Sequence, residues 1–140
     1  MRAKSESWLA WLSIAIGVLN LGGETFAQVM SSSFYVTEIP ALGLSFVSLI
    51  VLVLAGLRSL QIKPNSGAGV LAGAWGLFFG SYCAREIARL DQWWPAEAAL
   101  RGEPPPNLIL ANLPLLFLAA MFFGWAFVLA LRQTRSPVNG

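Results

Sequence analysis

The chain has 140 residues, 56% of them hydrophobic and only 11% charged, with a mean hydropathy of +0.65, where soluble domains carry about 25% charged residues. Such a composition excludes an ordinary soluble surface and predicts one all-α membrane domain with the lipid bilayer as its solvent. A net charge of +2 without a basic run argues against nucleic acid as a partner, and one cysteine (Cys83) with no histidine leaves no disulfide, no zinc site and no usual haem ligand.

A transmembrane helix needs about 20 mostly apolar residues. The first such run is 8–30, clean as far as Gly23 and interrupted by Glu24. The second, 39–60, begins with Pro40 in its first turn, where proline is tolerated. The third, 67–90, follows the turn-forming stretch Lys63-Pro64-Asn65-Ser66 and ends in Arg85-Glu86 and Arg89. An outer loop, 91–107, separates it from the fourth run, 108–131. Within that loop Pro95 to Arg101 has the make-up of a short interfacial helix with proline at its first position. Pro104-Pro105-Pro106 cannot be helical, and Asn107 is a suitable N-cap for the last helix. The expected fold is four antiparallel transmembrane helices in a bundle.

Basic residues set the orientation. Arg2, Lys4, Arg58, Lys63, Arg132 and Arg135 gather on one side, while six of the seven acids lie on the other or at its edge. Both termini are therefore expected in the cytoplasm of a cell whose inner membrane holds the chain. Trp8 and Trp11 mark the inner interface, and Trp93 and Trp94 the outer one. A competing reading takes Arg2, Lys4, the apolar stretch 8–21 and Thr25-Phe26-Ala27 as a signal peptide cut after Ala27, which would leave three helices.

The helix faces are unequal. Ser13, Gly17, Asn20, Glu24 and Gln28 form a polar stripe on the first helix, which must face other helices or water. Gly69, Gly73, Gly76 and Gly80 form a stripe on the third, suited to close helix packing within the chain or between chains. Phe78, Ser81, Arg85 and Arg89 lie opposite that stripe. At 1.5 Å rise per residue, Glu24 lies roughly 24 Å and Arg85 roughly 27 Å from the inner edge. Asn112 enters from outside and lies roughly 6 Å below the outer edge of a core about 30 Å thick. Asn20, Glu24, Gln28, Arg85 and Asn112 thus form a candidate intramembrane polar cluster. An ionised Glu24 facing lipid would cost several kcal/mol, and Arg85 is the matching charge at the matching depth. Gln28, Ser81 and Asn112 are expected as further partners of that pair. Glu86, Asp91 and Glu97 read as an exposed rim, with Glu86 placed to pair locally with Arg89.

Catalytic chemistry finds little to work with. Walker A, dinucleotide-binding and HExxH motifs are absent. Cys83 lies in an apolar helix, where a thiol is expected to be inert. No enzyme activity, catalytic residue, metal or cofactor is expected. Four short helices with an acid in the first give a plan similar to that of the small multidrug resistance exporters. The likeness covers architecture and one residue type. In that family the acid lies near mid-membrane and the loops are short, whereas Glu24 is near the outer end and 91–106 is long. The expected function is a small non-enzymatic accessory or assembly subunit whose partners are other membrane subunits or copies of itself. The alternative is a homo-oligomeric transporter or channel that uses Glu24 to bind an ion or proton.

Overall fold

The computed structural model describes residues 2–30, 39–62, 66–104 and 107–135. All regular structure among them is helical: α1 (Arg2–Met30), α2 (Ile39–Gln61), α3 (Ala68–Trp93), the short α4 (Ala96–Leu100) and α5 (Asn107–Arg135). Helices α1, α3 and α5 run past the expected apolar stretches into polar sequence. At the start of α1 the reason is local: Glu6 is held by other helices, so the first turns have tertiary partners although they lie outside the apolar run.

Helix α1 packs on α2, α2 on α3 and α3 on α5, while α1 meets α3 and α5 at few points. Glu6 joins the starts of α1 and α3 to the ends of α2 and α5. Glu24 and Arg85 join the end of α1 to the far half of α3. Successive long helices therefore run in opposite directions.

Among the described residues, three helices contain a segment long and apolar enough to cross a membrane: Lys4–Phe26 in α1, Leu42–Gln61 in α2 and Leu110–Arg135 in α5. Helix α3, expected as a fourth, does not stand beside them on hydropathy. Its apolar residues are diluted by Gly69, Gly73, Gly76, Gly80, Ser81 and Tyr82, and it ends in charge. Packing explains the dilution. With α2 and α5 both packed against it, α3 leaves only one face for surroundings to touch. Its Leu71, Trp75 and Phe78 are fully buried.

The core centres on those side chains. Trp75 meets Phe78 edge-on at 5.6 Å between ring centroids and Phe122 of α5 at 5.0 Å. Leu9 and Ala10 of α1, Leu49, Leu52 and Ala55 of α2, and Ala119 and Ala126 of α5 complete it. Aromatic pairs at this spacing add about 1 kcal/mol beyond area burial. Helices α1 and α2 approach closely through two glycines. A Cβ on Gly56 would lie 2.8 Å from the Ala10 carbonyl oxygen, and one on Gly17 would meet Val53.

The connection between α3 and α5 is folded. Helix α4 begins at Ala96, one residue after the expected start, and Pro95 is its N-cap. Gly102, at φ +75°, closes the helix in the left-handed region that glycine enters without steric cost. The amide of Glu103 then donates to Ala98 (3.1 Å) and that of Gly102 to Ala99 (3.0 Å). The indole of Trp94 donates to the Glu103 carbonyl at 2.9 Å and straps the loop to the end of α3.

Candidate functional site

Polar side chains inside the molecule fall into three tiers along the helix axes. The first is built around Glu24 of α1, whose carboxylate takes both arms of the Arg85 guanidinium. One arm is Nη1 to Oε1, and the other is Nη2 to Oε2 at 3.0 Å. Both side chains are largely buried, at 15% exposure for Glu24 and 11% for Arg85. A two-armed contact fixes orientation as well as distance, because the planar fork of arginine matches a carboxylate.

Asn112 stands at the same end of the molecule but does not join that pair. Its Nδ2 donates to Oε1 of Glu86 at 3.1 Å. Glu86 is only 6% exposed, so the exposed rim expected for it is corrected. Helix α5 packs along α3 and covers the position next to Arg85, where an isolated helix would show water. The other expected members of the cluster are placed differently again. Asn20 is half-buried and turns back to the Ile16 carbonyl of its own helix at 2.8 Å. Ser81 bonds to Ser48 of α2 at 2.9 Å, away from the ion pair. The side chains of Gln28 and Arg89 lie outside the described ones.

The middle tier is small. The Trp75 indole donates to Ser13 Oγ at 2.9 Å, and Ser13 donates in turn to the Leu9 carbonyl at 2.7 Å. The hydroxyl so completes a relay from the centre of α3 to the backbone of α1. Ser48 and Ser81 make the corresponding tie between α2 and α3.

The third tier is built on Glu6, a residue the sequence reading did not single out. Its side chain is buried, at 5% exposure. Oε1 accepts from the backbone N–H of Gly67 at 2.9 Å and from Ser59 Oγ at 3.3 Å. Oε2 accepts from Gln133 Nε2 at 2.7 Å. One carboxylate thus binds α2, α5 and the start of α3 to α1. Gly67 caps α3, so the charge also sits at the positive end of that helix. A Cβ on Gly67 would lie 2.6 Å from Glu6 Oε1 and closer still to Ser59 Oγ, so the contact needs glycine.

The sequence held a signal for Glu6. It stands eighteen residues before Glu24, five turns of helix, and so on the same face of α1. Starting the helix at Trp8, two residues later, left the stripe's first acid outside it.

The glycine stripe of α3 faces away from the other helices. A Cβ at Gly69, Gly73 or Gly80 would meet no other part of the described molecule within 4 Å. Gly76 alone of the four meets a neighbour, Phe123 of α5 at 3.1 Å. Among the described residues no group of three or more His, Cys, Asp or Glu side chains could hold a metal ion. Comparisons with protein-family models, with curated proteins and with solved structures return no match.

Proposed function

We propose that this chain is a four-pass membrane subunit that works by assembling with other membrane helices rather than by catalysis. The observation that carries the reading is the way the internal polar groups are spent. Glu6, Ser13, Ser48 and the Glu24–Arg85 pair each join one helix of the chain to another. Polar groups deployed in this way set helix positions in a solvent where the hydrophobic effect between helices is lost.

Dimensions support the membrane placement. Glu6 and Glu24 are about 27 Å apart along α1, close to the thickness of a bilayer core. Large apolar side chains stand exposed between those levels, among them Leu19, Leu54, Phe117 and Met121. Helix α3 adds Val70 and Leu77 to this surface, which supports its crossing with the others. Core residues Leu9 and Ala10 come from α1, which supports α1 as a working part of the fold rather than a segment to be cut away. Lys4, Arg58, Arg132 and Arg135 lie at the Glu6 end, which favours that end, with both termini, in the cytoplasm.

What supports assembly over transport is the state of Glu24. Both of its oxygens are taken by Arg85, so an ion or proton would have to displace a two-armed salt bridge. The outward glycine face of α3 supplies a surface another helix can approach closely.

The test is the mass of the protein extracted gently from its native membrane. Larger chains in the same particle are the expected result. Gly73→Leu should release them while leaving thermal unfolding of the chain unchanged, because the added side chain meets open space. A monomer free of other chains overturns the reading, and a closed homo-oligomer that moves ions only with Glu24 intact replaces it with transport.

A further inference from the structure

We propose that the first turns of α1 hold the headgroup of an acidic phospholipid from the leaflet at the Glu6 end. The inference rests on the membrane placement above and adds a ligand to it. Beside α1 lies a cavity of about 600 Å³ whose described lining is Lys4, Ser7, Trp8 and Trp11. Lys4, Trp8 and Trp11 follow one another by four and three residues and so share one face of the helix. Glu6 lies on the opposite face, turned inward to its three donors, and does not neutralise Lys4. Among the described residues Lys4 has no ion pair.

The cavity is graded along its length. Lys4 is nearest the helix start, with Trp8 about 6 Å and Trp11 about 10 Å deeper along the axis. An ammonium and a hydroxyl therefore stand at the shallow end and two indoles at the deep end. Both indoles are mostly exposed, at 65% for Trp8 and 61% for Trp11, although each is large and apolar. A phospholipid has the same grading: a phosphate that pairs with Lys4 and accepts from Ser7, above acyl chains that lie along the rings. A soluble anion would leave the indoles uncovered.

The sign of the lipid follows from the surrounding charge. At this end the exposed charged side chains described are Lys4, Arg58, Arg132 and Arg135, while the acid, Glu6, is buried. A basic residue at a membrane surface is worth about 1 kcal/mol toward anionic lipid, which is about a fivefold preference.

The experiment uses the full chain in vesicles of equal parts phosphatidylglycerol and phosphatidylcholine with matched acyl chains. Resistance to alkaline extraction is scored first; a chain that washes off sinks the membrane reading itself. For inserted protein, native mass spectrometry then counts the lipids retained. About fivefold more phosphatidylglycerol than phosphatidylcholine is expected. Lys4→Gln should bring the two near parity and Lys4→Arg should keep the preference, both with unchanged thermal unfolding because Lys4 is exposed. Equal retention by the inserted wild-type chain, or a preference that survives Lys4→Gln, overturns the assignment. Displacement of the lipid by excess inorganic phosphate would show a free-anion site and also overturn it. So would a photoreactive group at Trp11 that captures protein instead of lipid.

Discussion

Helix α1 carries two acids on one face, and the molecule holds them in opposite ways. Glu24 faces a full counter-charge and ties two helices. The donors described around Glu6 are neutral (a backbone amide, a hydroxyl and a carboxamide), and through them it ties four. An ion pair concentrates its attraction in one partner, so it is strong but joins little. A carboxylate shared among dipoles accepts along several directions at once, so one side chain can set the relative positions of several elements. The Glu6 end is where the two terminal helices of the chain meet, and their broad interfaces lie elsewhere. The more branching device stands where α1 and α5 meet at few other points.

The largest effect should come from breaking the ion pair on one side. Arg85→Met leaves the Glu24 carboxylate buried without its counter-charge, at a cost of about 3–5 kcal/mol read from thermal unfolding in mild detergent. Adding Glu24→Leu should recover most of that loss, since apolar pairs commonly replace buried salt bridges at little cost. A single variant as stable as the parent would show that the pair holds nothing. The Glu6 end should behave otherwise. Glu6→Leu is expected to cost about 3 kcal/mol, because it strands an amide, a hydroxyl and a carboxamide at once. Only proline would remove the backbone N–H of Gly67, and any side-chain carbon there would collide with Ser59, so no apolar partner should rescue it. Gly67→Ala, which drives a methyl group into the same carboxylate, should reproduce the loss with every polar group still present. Rescue of Glu6→Leu by Ser59→Ala alone would erase the distinction between the two ends.

Much of this was legible in the residues and some was not. Glu24 and Arg85 were paired by depth alone, since helical rise converts position in an apolar run into a level in the bilayer. The same arithmetic put Asn112 at the right end but could not choose between Arg85 and its neighbour Glu86, because one residue along α3 is a turn of 100° with little change in level. Rotation of one helix about its neighbour is a tertiary fact. The glycine face of α3 was legible as a face, whereas its outward direction depends on which side the aromatic core claims. Trp75, Phe78 and Phe122 settle that by filling the space between α3 and α5. Glu6 escaped because its partners are donors that no pattern marks: a glycine amide after a turn, a serine and a glutamine 127 positions away.

Gln133 offers the finest test of the contrast. Gln133→Leu removes one of three donors to Glu6 and leaves Gly67 and Ser59 in place, so the carboxylate stays hydrogen-bonded. The expected loss is about 1.5 kcal/mol, the low end for a hydrogen bond to a charged group. Its distribution matters more than its size. Helices α1 and α2 share a broad interface to which Gln133, a residue of α5, does not belong. The loss should therefore fall on the junction between α1 and α5. Two cysteines placed at Ser5 and Arg132, in the chain with Cys83→Ala, should crosslink more slowly in Gln133→Leu than with Gln133 intact. A matching pair across α1 and α2 should react as before. Equal slowing at both pairs would mean that Glu6 steadies the whole molecule rather than branching between its helices, and the distinction drawn from the neutral donors would fail.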